Sequence, residues 1–243
     1  MEFIYPKACG VDVHKSFIVA VICDSTSITP KYSRKRFSTF NNDLIRFKDW
    51  LIDNDCHNVC MESTGKYYVP VYNALEGYIS NVVVANPKWV KAIKGEKDDN
   101  KDAKWIADLF KMGLVRSSYI PSKDFRILRE FTRYRYKLTN TKSSEKNRFT
   151  NALTVGNCKL DMVFTDIFSK SSHEDILSSV DGIQFTYEQK LKINIVKDHI
   201  DYLNNQINKL NKIIDTLVAP YESYVDLLCT IPGIDRNSAI GIL

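Results

Sequence analysis

Strand-like and helix-like patterns of apolar residues alternate over the first 120 residues. The strand-like runs occupy residues 7–14, 16–23, 31–40, 57–62 and 81–87. Amphipathic stretches with helical spacing occupy 41–54, 67–77 and about 100–113. The polar turn at 14–16 joins the first two runs and predicts a hairpin. The strand–helix–strand order that follows predicts a mixed α/β sheet covered by helices.

After Pro121 the pattern becomes helical over long distances. Residues 122–153 contain no proline or glycine and have apolar side chains at helical spacing. Residues 188–217 show the alternating spacing of four and three that is typical of a coiled coil. Its seam comprises Val196, Ile200, Leu203, Ile207, Leu210, Ile214 and Leu217. We expect the two long helices to pair, within one chain or between two, with 154–187 as a connector holding a short helix near 174–180.

The tail after Pro220 has a different composition. Its sequence "LLCTIPGIDRNSAIGIL" combines an apolar stretch, a Pro-Gly turn and a small-residue helix, like the start of a helix-hairpin-helix. Such a motif presents backbone N–H groups to a phosphate. The chain stops inside the second helix, which predicts an incomplete domain. The predicted organisation is therefore 1–120, 121–220 and 221–243.

Four carboxylates stand out against this background. Asp12 lies in the first strand and Glu62 ends the fourth, although acidic residues are poor strand formers. Asp99 and Asp102 begin the helix at about 100–113, and the helical spacing places Asp102 in the middle of the face that should pack on the sheet. One interpretation is a helix cap, with Asp99 at the N-cap and Asp102 three residues later. The other is a cluster of oxygen ligands for Mg²⁺ or Mn²⁺.

The motifs "GVDVHK", "MESTGKYY", "NP" and "KDDNKDAKWIA", in this order, resemble the N-terminal domain of the DEDD transposases of insertion-sequence family 110. The tail and "LTNTKSSEKNRFTNAL" resemble later parts of the same family. The resemblance implies a ribonuclease H-like, RuvC-like domain. It also implies a Mg²⁺ or Mn²⁺ site formed by Asp12, Glu62, Asp99 and Asp102. Asp98 takes a position that is not a ligand in the family pattern.

The resemblance further implies metal-dependent phosphodiester chemistry on DNA during transposition, with a structured guide RNA as a further partner. Two departures matter. Asp235 stands where the family has a second glycine, beside the expected phosphate contact. The family's C-terminal domain with its nucleophilic serine has no counterpart in this chain, so the chain alone is expected to be inactive if that domain is missing.

Basic residues are concentrated in one segment. Residues 1–100 carry 13 Lys and Arg against 12 Asp and Glu, a net of +1, whereas 123–148 carry nine against three, a net of +6. This density favours contacts with nucleic-acid phosphates. The candidates are Arg126, Arg129, Arg133, Arg135, Lys142, Lys146 and Arg148. The aromatic residues between them, Phe131, Tyr134 and Tyr136, are expected in the helical seam.

The chain lacks an apolar run long enough to span a membrane and a signal-peptide pattern, which predicts a cytoplasmic protein. The heptad seam makes a homo-oligomer the expected assembly. The main alternative function is a non-catalytic, nucleic-acid-binding coiled-coil fragment of a truncated transposase gene. An actin-like phosphotransferase would need glycine-rich phosphate loops, and the nine glycines form no such cluster.

Overall fold

A computed structural model describes residues 3–63, 65–90, 99–158, 167–168 and 185–243, without the side chains of 89, 90, 99 and 100. The chain divides into two compact units, Met1–Ile120 and Pro121–Leu243. Each unit is described by itself below. None of the helices in the described part of the chain is long and apolar enough to cross a membrane.

The first unit contains a five-stranded sheet. Its strands are β1 (Lys7–Val13), β2 (Phe17–Asp24), β3 (Lys31–Ser38), β4 (Asn58–Glu62) and β5 (Asn81–Ala85). They lie in the order β3-β2-β1-β4-β5. β2 is antiparallel to β1 and β3, whereas β1, β4 and β5 are parallel. This is the strand order of the ribonuclease H-like fold, and it confirms the predicted mixed sheet.

Helices cover both faces of the sheet. They are α1 (Asn41–Asp53), α2 (Tyr68–Leu75), the single-turn α3 (Pro87–Val90) and α4 (Asp99–Lys111). Val11 and Val13 of β1 point into the main core, where they meet Phe47 and Leu51 of α1 and Val71 of α2. α4 covers the opposite face, and its buried side chains meet β1, β4 and β5. A strand buried on both faces explains why β2 is almost entirely apolar.

The second unit is built on two long helices, α5 (Lys123–Val155) and α6 (Tyr187–Val218). Thr186 and Gln189 form a capping box that begins α6. The predicted seam residues Val196, Ile200 and Leu203 are buried, and α6 packs against α5 of the same chain. The structure therefore contains the intrachain pair, one of the two arrangements left open by the periodicity. The short helix predicted near 174–180 lies outside the described residues.

Two short helices follow a 3₁₀ turn at Ala219–Tyr221, namely α7 (Glu222–Cys229) and α8 (Arg236–Ile242). Val225 and Ile240 pack with Leu128 of α5 and Ile214 of α6, so this tail belongs to the core of the second unit. Asp235 caps α8, because its carboxylate accepts a hydrogen bond from the backbone N–H of Ser238 at 2.8 Å. The predicted helix-hairpin-helix stays a prediction, and the backbone N–H of Ser238 at the start of α8 is already bonded to Asp235.

Candidate metal site and nucleic-acid interface

The register of the sheet sets Asp12 next to Glu62. Parallel pairing joins Gly10 to Cys60 and Val11 to Met61. The next residues along the two strands are Asp12 and Glu62, and both are half-buried. Because side chains alternate along a strand, these two carboxylates share the face of Gly10 and Cys60.

This face is the one that α4 covers, and Gly10 allows a close approach. A Cβ atom on Gly10 would lie 2.2 Å from the backbone oxygen of Ala103 and 2.3 Å from the backbone nitrogen of Ala107. Only a glycine fits beneath these two alanines. The helix backbone therefore rests directly on β1, two residues before Asp12.

α4 runs opposite to β1, so its first turn lies toward the end of β1 that bears Asp12. Phe110, near the end of α4, packs with Ala8 at the start of β1, whereas Ala103 packs with Val19, the partner of Asp12 across the hairpin. Asp99 is the first residue of α4. The described part of Asp99 is its backbone, so its role as cap or ligand stays a prediction.

Asp102 lies at the margin of the packed face of α4, not in its middle as the helical spacing predicted. The buried apolar side chains are those of Ala103, Ile106, Ala107 and Phe110, while Asp102 is half-buried. Because Ala103 and Ala107 rest on Gly10, the helix contacts the sheet through the side that carries these two alanines. Asp102 remains on the flank that carries Ile106, which packs with Cys60 of β4. Since Glu62 follows Cys60 by two residues on the same face, Asp102 and Glu62 lie at the same corner of the sheet.

His14 is a site residue that the sequence interpretation missed. Its Nε2 atom lies 2.9 Å from Oδ2 of Asp12, and the side chain of Asp12 is only 13% exposed. Because an ionised carboxylate can only accept, the imidazole donates this hydrogen bond. The His14 ring also stacks on Phe17 with centroids 4.4 Å apart, and its backbone N–H donates to the carbonyl of Phe17 at 2.9 Å. The sequence feature that could have pointed to His14 is its position at the start of the polar turn, two residues after Asp12.

The side chains at this corner are suited in kind to a hard divalent cation. Carboxylate oxygens are the donors that Mg²⁺ and Mn²⁺ prefer, and β1, β4 and α4 each contribute at least one. Among the described side chains, which exclude that of Asp99, no three His, Cys, Asp or Glu residues form a group that could hold a metal ion. The structure thus places Asp12 beside Glu62 but does not bring a described triad together.

The predicted basic residues of α5 fall into two sets. Four have partners within the second unit: Arg126 donates to the Pro121 carbonyl, Arg135 to Asn237 and Arg148 to Glu145, while Lys146 lies over the ring of Phe168. Arg129 and Arg133 are exposed and Lys142 is half-buried, and no ion pair involves them in the described part of the chain. For this second set, contact with nucleic-acid phosphates stays a prediction.

Two tyrosines of α5 do not occupy the predicted seam. Tyr134 is 54% exposed and Tyr136 is 67% exposed, whereas Phe131 packs partly into the core of the second unit. Tyr136 follows Arg129 and Arg133 by seven and three residues, so the three share one exposed face of the helix. Exposed aromatic rings of this kind can stack on nucleic-acid bases.

Glu145 is a buried charged residue that the sequence interpretation also missed. It is 5% exposed, pairs with Arg148 and lies 3.5 Å from Nδ1 of His199 on α6. The approach of α6 buries it, and this contact depends on the register of the two helices.

The chain belongs to the DEDD transposases of insertion-sequence family 110. The model of this family, described as "Transposase", matches residues 9–156, more than half of the 243-residue chain. The matched segment includes all four predicted ligands and the basic part of α5. A comparison with curated proteins gave no match.

Solved structures with a similar fold include RuvC-like nucleases. RuvC of Thermus thermophilus has 14% sequence identity with a TM-score of 0.36, and the match covers 46% of this chain and 99% of that one. The same enzyme in complex with a Holliday junction substrate has 11% identity and a TM-score of 0.35, covering 47% and 100%. The Fowlpox virus resolvase in complex with Holliday junction DNA has 14% identity and a TM-score of 0.34, covering 44% and 99%. Similarities this low carry no information about substrate or mechanism.

Proposed function

We propose that this transposase-family chain supports metal-dependent cleavage of DNA phosphodiester bonds during transposition. Asp12, Glu62, Asp99 and Asp102 would hold Mg²⁺ or Mn²⁺. The observation that carries the proposal is the sheet register, which sets Asp12 beside Glu62 on the face where the first turn of α4 begins. Family membership supports the same reaction class.

The protein residues would hold and orient the reacting groups. Bound divalent ions can activate a water or hydroxyl and stabilise a leaving oxygen. Asp12 and Glu62 project from a rigid sheet, which fixes their separation. His14 holds one oxygen of Asp12 and so sets the orientation of that carboxylate. The Gly10 contact sets the distance of α4, and therefore of Asp99 and Asp102, from the sheet.

We further propose that nucleic acid is bound by the exposed face of α5. Arg129, Arg133 and Tyr136 on that face combine phosphate neutralisation with a ring for stacking. Contacts of these two kinds do not depend on the base sequence of the nucleic acid. They would therefore accommodate DNA and a structured guide RNA alike. An assembly of more than one chain through the helical region remains part of the proposal.

Asp99→Asn provides the sharpest test of the metal site, because asparagine caps a helix about as well as aspartate. We expect the variant to unfold at nearly the same temperature as the original protein without metal. We expect it to lose the Mg²⁺-dependent rise in unfolding temperature, measured by differential scanning fluorimetry with increasing MgCl₂. DNA cleavage by the complete transposase should be lost in parallel.

Asp49→Asn is the matched control. Asp49 is an exposed carboxylate of α1 that pairs with Lys48, on the face of the sheet opposite to α4. The control should keep the full Mg²⁺ response. If Asp99→Asn responds to Mg²⁺ like the control, Asp99 is a cap and not a ligand. Binding of nucleic acid without any Mg²⁺ response in the unsubstituted protein would favour the non-catalytic alternative.

A further inference from the structure

The edge strand β3 is basic on the face that carries the acidic residues. β3 contains four basic residues and no acidic one. Its register pairs Arg36 with Val19 and Arg34 with Val21. Both valines pack with Ala103 of α4. Because cross-strand partners share a face, Arg34 and Arg36 lie on the α4 side of the sheet.

Direct contacts connect Arg36 to Asp12. The guanidinium carbon of Arg36 lies 3.7 Å from the centroid of the Phe17 ring. Phe17 stacks on His14, and His14 donates to Asp12 at 2.9 Å. An arginine stacked on a ring keeps its in-plane N–H groups for a phosphate. These contacts form a continuous row of side chains, with the Asp12 carboxylate at one end and the exposed Arg36 guanidinium at the other.

α4 adds a further cation beside β3. Nζ of Lys104 lies 4.2 Å from the centroid of the Tyr32 ring. The basic strip is defined here as Arg34, Arg36 and Lys104. All three residues are exposed, and no ion pair involves them among the residues that the structure describes.

One carboxylate, Asp108, lies next to the basic strip, and it is already neutralised. Its Oδ1 atom lies 2.8 Å from Nζ of Lys111 and accepts a hydrogen bond from the Tyr32 hydroxyl at 2.9 Å. Burial by itself lowers the pKa of Lys111, but the hydrogen bonds to Asp108 and Cys23 outweigh it and raise that pKa. Lys111 thus stays charged, and Asp108 does not cancel the charge of the strip.

Charged residues on an edge strand also prevent pairing with other strands. Charges on either face of β3 would protect the edge in this way, and Lys31 and Lys35, on the face opposite α4, already do so. Such protection does not account for the stack of Arg36 on Phe17, or for a third cation contributed by α4. Protection of the edge also does not explain why the strip lies beside the acidic corner, the end of the sheet that carries Asp12 and Glu62.

We propose that the basic strip holds the phosphates of the DNA strand whose phosphodiester bond enters the acidic corner. This inference rests on the proposed function, since the strip is continuous with Asp12 and the substrate proposed for that corner is DNA. The strip would act in addition to the exposed face of α5, which lies in the other unit. Arg34 and Arg36 would position the substrate without taking part in the chemistry.

The test uses a double variant of the full chain that combines Arg34→Gln and Arg36→Gln. Its DNA binding is compared with that of the unsubstituted protein. Glutamine keeps much of the side-chain length and removes the charge. The measurement is fluorescence anisotropy of a labelled 30-base-pair DNA duplex and of its single strand, in EDTA, over a salt series. We expect at least tenfold weaker binding at low salt, and a salt slope smaller by about 1.4–1.8, because each lost phosphate contact contributes about 0.7–0.9.

Arg46→Gln with Lys48→Gln is the charge-matched control, since both residues lie on α1 across the sheet. The control should bind DNA like the unsubstituted protein. An unchanged slope in the strip variant, or an equal loss in the control, overturns the proposal. Loss of affinity for RNA of the same sequence with DNA binding intact also overturns it.

The Mg²⁺ response separates this inference from the proposed function. The strip variant should keep the Mg²⁺-dependent rise in unfolding temperature, because Arg34 and Arg36 are not ligands. If the unsubstituted protein shows no such rise, the metal site is refuted, while the DNA titrations still decide the strip. If the strip variant alone loses the rise, its residues act on the metal site and the proposed role is wrong.

Discussion

At the scale of single residues, the site depends on the residues that position its carboxylates as much as on the carboxylates themselves. Gly10 is the clearest case, since the backbone of Ala103 occupies the space where a side chain would stand. His14 is the second, because its hydrogen bond to Asp12 depends on the tight turn that brings it next to Phe17. Neither Gly10 nor His14 stands out in the sequence by its charge or by an unusual neighbourhood.

Gly10→Ala should destabilise the first unit by about 2 kcal/mol or more, because the added methyl group overpacks a contact between two backbones. The Mg²⁺ response should weaken in parallel, since the displaced helix carries Asp99 and Asp102. Urea denaturation and scanning fluorimetry with MgCl₂ measure the two effects. Gly241→Ala is the control, because a Cβ there meets nothing within 4 Å. It should be neutral or stabilising by less than about 1 kcal/mol. Equal stability of the two variants would contradict the close contact at Gly10.

At the scale of elements, α6 has one buried face and one exposed face that also carries apolar residues. The buried seam runs from Ile193 to Val218, the last residue of the helix. Leu203 is 3% exposed, while Ile195 is 60% exposed and Tyr202 is 58% exposed. The partner of the seam is α5, so the heptad pattern is used inside one chain.

Leu203→Ala should lower the free energy of unfolding of the second unit by about 2–4 kcal/mol, because it removes a buried side chain and leaves a cavity. Ile195→Ala removes an apolar side chain from the exposed face of the same helix. It should change stability by less than about 0.5 kcal/mol if nothing covers that face. Urea denaturation followed by far-UV circular dichroism measures both. A larger loss for Ile195→Ala that depends on protein concentration would instead indicate an interface with a second copy.

At the scale of the whole molecule, the two units carry different parts of the proposed function. The first holds the acidic corner and the basic strip, and the second holds the exposed face of α5. The family match spans the boundary between the units, from residue 9 to residue 156. The net charge of +6 over 123–148 makes α5 the more basic of the two proposed nucleic-acid surfaces.

Arg129→Ala with Arg133→Ala should reduce the salt slope of nucleic-acid binding by about 1.4–1.8, because two phosphate contacts are lost. Affinity should fall alike for unrelated sequences, since phosphate contacts do not read bases. The measurement is anisotropy over a salt series with DNA and with RNA. Lys192→Ala with Lys209→Ala, on the exposed side of α6, is the charge-matched control. An unchanged slope in the arginine variant would mean that Arg129 and Arg133 are solvated surface charges that do not contact phosphates.

Much of the architecture could be predicted from periodicity, because strand and helix patterns are local. The five strands, α1, α2, α4 and the two long helices all appear where the patterns indicated. The errors are of one kind. Asp102 was expected in the middle of a packed face and lies at its edge, and Tyr134 and Tyr136 were expected in the seam and are exposed. The rotation of a helix about its axis depends on what it packs against, which its own sequence does not contain.

By itself the sequence determined the order of the elements, the heptad seam, the concentration of basic residues on α5 and the family motifs. It also singled out Asp12 and Glu62, since a carboxylate in an apolar strand is costly without a partner. Only the tertiary structure decided that the sheet register makes these two neighbours and that α6 pairs within the chain. It also decided that Arg36 reaches Asp12 through Phe17 and His14. These are contacts between segments distant along the chain, and the energies that select them arise only when the segments pack together.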